Sequence, residues 1–200
     1  MKKRIVSCLI ICVVIILAYL YAYVDKNSYV YNKNADPSTF YSTGILTEGQ
    51  EVAQSFVSKE DTIDGFNIKT VILGNVENVV IHYALLDKNS EQVYKGSVPA
   101  IELEDNKFNK LGIPQISGVN GQEYTFVLSV EGADEYNGVA FYVEPGRHEG
   151  QELVINGNST DGTLVIRFIC HRFDVETFIV LLGMITFVTA FMKVLYKLFK

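Results

Sequence analysis

The run from Ile5 to Val24 holds 20 residues without a charge, and it constrains this chain more than any other stretch. A helix of that length rises ~30 Å, the thickness of a bilayer's hydrocarbon core. The alternative is a secretory signal peptide, which asks for an apolar core of ~7–15 residues and a small-x-small cleavage site. Here the run is longer, and Ala18 and Ala22 sit among Tyr19, Tyr21 and Tyr23. Tyrosines at that depth suit the aromatic belt of a membrane interface. Residues 5–24 are therefore read as a retained transmembrane helix, with cleavage as the alternative.

A second apolar run, Thr177–Met192, is uncharged and short for a span. Lys193 can snorkel and let Val194, Leu195 and Tyr196 extend it, so the second span is placed at 174–196. Charge then sets the expected topology. Lys2, Lys3 and Arg4 precede the first run, and Lys193, Lys197 and Lys200 flank or follow the second. Between Asp25 and Glu176 lie 23 acidic and 11 basic residues, a balance of −12. Basic residues beside a span favour the cytoplasmic side. The expectation is a two-pass protein of the cell membrane, partnered by the lipid bilayer, with residues 1–4 and 197–200 inside. Outside come a stalk at 25–43 and one acidic domain at 44–173. Its acidity speaks against nucleic acid.

Only Cys170 falls in the outer domain, while Cys8 and Cys12 sit in the first run, so no disulfide forms within the domain. Exported animal domains of this size often use disulfides, so a bacterial envelope is the better fit.

Past Thr43 the pattern turns to period two. Phe66, Ile68, Thr70 and Ile72 alternate with Asn67 and Lys69; Tyr124, Phe126, Leu128 and Val130 alternate with Thr125 and Ser129. Leu164, Ile166, Phe168 and Cys170 share a face opposite Arg167 and His171. In VVIHYALLD both faces are apolar, so both are expected to be covered. Further strands are expected at Val52–Val57, Val93–Val98, Lys107–Ile113 and Val139–Val143, separated by turns rich in Gly, Asn and Asp. Eight or nine short strands with no helical period between the apolar ends indicate an all-β ectodomain, an antiparallel β-sandwich.

The segments EVAQSFVSKEDTIDGFNIKTV, VVIHYALLDKNSEQVYKG, GQEYTFVLSV and NGVAFYV carry a Gln-x-Phe early strand and a Gly-x-x-Tyr-x-Phe late strand. Over roughly residues 50–145 this succession resembles carbohydrate-binding-module-type jelly rolls. In particular it is similar to the galactose-binding-like sandwiches on the outer face of bacterial membrane proteins that handle surface glycans. The resemblance implies a jelly-roll-like sandwich and a surface glycan, or a membrane protein of glycan assembly, as partner.

The chemistry-bearing residues are sparse. His82, His148 and His171 lack metal-ligand spacing, and no GxSxG turn or nucleotide-binding glycine loop occurs. No enzymatic activity is expected. Glu60, Asp61 and Asp64 in SKEDTIDG could offer oxygen ligands to calcium at a turn, although solvated acidic turns are the commoner case and no cofactor is otherwise expected. Asp134, Tyr136 and Asn137, with Tyr142 and Arg147, are candidate sugar-binding residues: a ring to stack on C–H faces and polar groups for hydroxyls. A five-residue strand at Val139–Val143 would keep Tyr136 and Arg147 at opposite ends. In the membrane, Ala18/Ala22 and Thr186/Ala190 are small-residue pairs four apart, a spacing that lets helices approach closely. Two functions remain: an accessory or scaffold subunit of cell-envelope glycan assembly or export, and a membrane-anchored carbohydrate-binding module.

Overall fold

The computed structural model describes residues 2–199, with the side chains of 2–4 and 6–8 outside the described set. Lys200 and the side chains of Lys2, Lys3 and Arg4, on which the expected orientation partly rests, and the side chain of Cys8 therefore lie outside what is described. Two compact units emerge, Met1–Lys26 with His171–Lys200, and Asn27–Cys170.

The larger unit is an antiparallel β-sandwich. The strands run in order β1 (Tyr23–Tyr29), β2 (Tyr41–Ser42), β3 (Glu51–Val57), β4 (Thr62–Leu73), β5 (Val80–Asp87), β6 (Gln92–Pro99) and β7 (Phe108–Ser117). They continue as β8 (Glu123–Glu131), β9 (Gly138–Pro145), β10 (Leu153–Ile155), β11 (Asn158–Thr160), β12 (Gly162–Leu164) and β13 (Ile166–Phe173). A six-stranded sheet has the order β11-β10-β3-β8-β5-β6. A seven-stranded sheet has the order β1-β13-β4-β9-β12, with β2 added on β9 and β7 on β4.

The alternating positions supply the core. Tyr124, Phe126, Leu128 and Val130 of β8 are buried, as are Phe66, Ile68 and Thr70 of β4 and Ile166, Phe168 and Cys170 of β13. The Phe66 and Phe126 rings stack across the two sheets at 4.2 Å and 28°, a contact worth more than its buried area alone. Polar ties reinforce the stack. The buried Gln54 of the Gln-x-Phe strand accepts from Leu164 N at 2.8 Å and donates Nε2 to Glu152 O at 3.2 Å. Tyr83 Oη donates to Gly112 O at 2.7 Å, again from one sheet to the other. A buried polar group is tolerated only when paired in this way.

Several expectations are corrected. Residues 25–43, expected as an extended stalk with no element of its own, carry most of β1 (Tyr23–Tyr29), a short 3₁₀ turn Pro37–Thr39, and β2 Tyr41–Ser42. The segment lacks a hydrophobic period because it borrows its partners from the far end of the chain. Val30 N donates to Ile166 O at 3.1 Å and Thr43 N to Phe141 O at 2.9 Å. Strand number rises to thirteen among the described residues because β1, β2 and β10 to β12 are too short or too polar to read as strands. Only one face of β5 is buried: Ile81, Tyr83 and Leu85 are, whereas Val80, His82, Ala84 and Leu86 are half-exposed.

The smaller unit holds α1 (Lys2–Tyr21) and α2 (Val175–Leu198). Among the described residues α2 alone is long and apolar enough to cross a bilayer, with a mean hydropathy of 2.3; the apolar part of α1, Leu9–Tyr21, is shorter. The first helix ends at Tyr21, not Val24, because Tyr23 already belongs to β1. Asp174 caps α2, its carboxylate accepting from Thr177 N at 3.0 Å and lying 3.1 Å from Lys26 Nζ. Ala18 and Ala22 are buried, whereas Thr186 and Ala190 line a groove of about 620 Å³ beside Ile10, Ile11 and Val14.

Candidate functional site

The outer face of the seven-stranded sheet concentrates rings and cations. Residues directly opposite each other in antiparallel strands point to the same side. Arg167 of β13 faces Asn67 of β4, which faces Lys110 of β7, so the three form one row across the sheet. One step along, Phe108 of β7 faces Lys69 of β4. Asn67 Nδ2 donates to Asn27 Oδ1 of β1 at 3.2 Å.

Rings hold the cations in place. The Arg167 guanidinium carbon lies 4.1 Å from the Phe108 ring centre and 6.0 Å from that of Tyr29. Lys69 Nζ stands 4.5 Å over the Tyr142 ring, whose hydroxyl pairs with Asn106 Oδ1. All three distances fall within the ~6 Å reach of a cation–π contact. Tyr31 lies against Phe108, nearly parallel at 6.3 Å and 20°, and against Tyr29 and Phe40 edge-on. Among the described residues none of Lys69, Lys110 and Arg167 makes an ion pair. The buried Arg167 Nε has no hydrogen-bond partner.

The chain between β1 and β2 is clamped so that Tyr31 reaches this face. On one side of Tyr31, Gln151 Nε2 donates to Val30 O at 2.9 Å; on the other, Asn32 N donates to Glu144 Oε2 at 2.8 Å. Glu144 is buried, and its carboxylate also meets His148 Nε2 at 3.0 Å. Burial, with Tyr29 and Glu144 nearby, pushes the Tyr31 phenol up, against an opposing pull from Arg167.

The sugar-binding residues expected from sequence are dispersed. Asp134, Tyr136 and Asn137 share the turn before β9. There the Asp134 carboxylate is engaged by the turn itself, accepting from Tyr136 N at 2.7 Å, Asn137 N at 2.8 Å and Asn137 Nδ2 at 2.9 Å. Those bonds, the Asn137 side chain first, hold its pKa below the ordinary carboxylate value. Asn137 Oδ1 accepts from Asn75 N at 2.8 Å, and Gly74 at φ +66° leaves room for it, since a Cβ there would lie 2.2 Å away. Tyr136 is 79 % exposed. Tyr142 belongs instead to the sheet face, and Arg147 lies beyond the other end of β9, donating to Ser159 Oγ at 2.7 Å. Arg147 borders a shallow polar cleft of about 710 Å³ with His148, Gln151 and Glu152.

Glu60, Asp61 and Asp64 do not converge. Asp64 accepts from Thr62 Oγ1 and Gln115 Nε2, each at 2.7 Å, and Asp61 from Asn120 Nδ2 at 3.2 Å. No group of three or more His, Cys, Asp or Glu among the described residues could hold a metal ion. Each histidine meets a carboxylate: His82 with Glu131 at 2.9 Å, His148 with Glu144, and His171 with Asp25 at 3.0 Å.

Sequence reading missed Tyr29, Tyr31 and Phe108. Its signal was the outward position of Arg167 and Lys69 in their strands, which said nothing of the rings beneath them.

No protein-family model matches the chain, and no curated protein matches it. Several solved structures are similar to part of the chain at low TM-scores. A clostridial cysteine protease after propeptide cleavage matches over 72% of this chain and 39% of its own, at 11% identity and a TM-score of 0.43. Xylanase 10C from Cellvibrio japonicus, in complex with xylopentaose, matches over 66% and 26%, at 7% identity and a TM-score of 0.35. The glycosylation-associated protein complex of Streptococcus agalactiae matches over 66% and 46%, at 10% identity and a TM-score of 0.27. The chain thus spans less than half of each of these proteins, and likenesses this slight carry nothing about activity.

Proposed function

We propose that the chain is a non-catalytic, membrane-tethered β-sandwich serving as an accessory subunit in the assembly or export of cell-envelope glycans. Both helices cross the membrane in this reading, with both termini on the cytoplasmic side and the acidic sandwich outside. The observation that carries it is the arrangement of the sandwich's own ends: the chain enters on β1 and leaves on β13, and these strands are neighbours. A domain whose two ends lie side by side suits insertion between two spans of opposite direction. The basic residues of the chain ends and the −12 balance between them support the same orientation.

The test is a cysteine-free variant carrying either Ser97→Cys or Lys197→Cys. On intact cells an impermeant maleimide should label the first and leave the second unlabelled until lysis. Labelling of position 197 on intact cells would refute the two-span reading. Crosslinking in native membranes then decides the role, since capture of a glycan-assembly protein is the expected product.

A second reading, a carbohydrate-binding module, is favoured by one feature. The outer face of the seven-stranded sheet presents rings and unpaired cations together, groups suited to sugar C–H faces and to acidic substituents.

A further inference from the structure

We propose that the outer face of the seven-stranded sheet is a binding site for an anionic, uronate-type saccharide chain. This inference rests on the carbohydrate-binding reading and gives it a site and a ligand class. Its starting point is charge. The region between the two apolar ends is strongly acidic, yet Lys69, Lys110 and Arg167 converge on one sheet face with no carboxylate paired to them among the described residues. Two of these cations stand over the rings of Phe108 and Tyr142, which orders them without neutralising them.

Geometry selects the kind of anion. Arg167 and Lys110 sit two strands apart in one row, roughly 10 Å at the ordinary strand spacing. The row crosses three strands, a backbone span of about two pyranose rings, so an extended saccharide laid along it meets more than one cation. A planar carboxylate fits the guanidinium fork, and the exposed Tyr29 ring beside Arg167 offers a surface for C–H stacking. An extended acidic peptide is the poorer fit, because the exposed Tyr29 ring matches the C–H face of a sugar, which Asp and Glu side chains lack.

The experiment uses the full chain in phosphatidylcholine nanodiscs, titrated with hexagalacturonate, neutral maltohexaose and hexaglutamate. Hexagalacturonate should bind with a Kd of roughly 0.1–1 mM, and maltohexaose at least about tenfold more weakly. Affinity should fall as sodium chloride rises from about 50 to 500 mM, since exposed charges are screened. Arg167→Gln and Tyr29→Ala should each weaken binding about tenfold or more, while Tyr136→Ala leaves it unchanged. Should Arg167→Gln lower the melting temperature, the double variant Lys69→Gln/Lys110→Gln decides in its place. Equal binding of hexaglutamate would reassign the face to an acidic protein segment and overturn the saccharide proposal. So would the absence of hexagalacturonate binding at 10 mM, or binding indifferent to the sheet-face variants. If a glycan-assembly protein is still captured in membranes after such a failure, the accessory reading stands and only this site is lost.

Discussion

On the outside of the six-stranded sheet, Ser97, His82 and Ser129 form a row across β6, β5 and β8. On the outside of the seven-stranded sheet the corresponding kind of row is Arg167, Asn67 and Lys110 across β13, β4 and β7. The first face answers its one imidazole with a carboxylate, Glu131 at 2.9 Å from His82. The second answers its cations with rings, Phe108 under Arg167 and Tyr142 under Lys69. A ring orders a cation and leaves its charge available. Two surfaces on one sandwich can therefore share strand geometry and differ in what they are able to recruit.

The largest effect should come from the layer that both faces rest on. Phe126→Ala removes the ring stacked on Phe66 and leaves a cavity between the sheets. It should cost ~3–5 kcal/mol, measurable by urea unfolding, and both surfaces should lose order together. Loss of amide protection on one sheet alone would show that the sheets are not coupled through this stack.

A smaller effect separates the faces themselves. Phe108→Ala removes a half-buried ring and its contacts with Tyr31 and Arg167, and should cost about 2 kcal/mol. His82→Ala deletes an exposed pair on the other face and should cost no more than ~1 kcal/mol. Equal losses would mean that the rings are decoration on the sheet and not a support for its cations.

The smallest effect is a pH dependence confined to the turn before β9. The native pKa of Asp134 is lowered, so the unfolded chain binds its proton more readily as pH falls. The contribution of Asp134 is fully present above its unfolded value near ~3.9 and is lost as pH falls through the lower native value. The gap in melting temperature between the wild type and Asp134→Ala should therefore be constant from about pH 7 to 5 and shrink toward pH 2. A gap unchanged at pH 2 would refute the assignment of that carboxylate to the turn.

Much of the sandwich was legible because burial on one side writes a period of two into a strand. Phe126 and Phe168 were placed on the core face by their neighbours Thr125 and Arg167, and both are buried. The turn at Asp134, Tyr136 and Asn137 was likewise recognisable from its composition. The aromatic face was not. Tyr29 and Tyr31 stand in a segment without periodicity, and the groups that fix that segment are far away in sequence, Glu144 being 112 positions from Asn32. Nothing local distinguishes a tyrosine in a polar stretch from one laid over a sheet.

By itself the sequence determined the β-sandwich, the apolar ends and the acid–base asymmetry between ends and middle, because each is a property of composition or of neighbours along the chain. Tertiary structure alone decided that residues 27–43 contribute strands to the domain, that Asp64 is engaged by Thr62 and Gln115, and that Arg167 lies on Phe108. It also joined Tyr142 to Lys69. The reason is the same in every case. A strand's inward positions are set by hydrophobic burial and are repeated locally, whereas a surface site is an accident of register between strands distant in the chain, and register is settled only when the sheets close on their core.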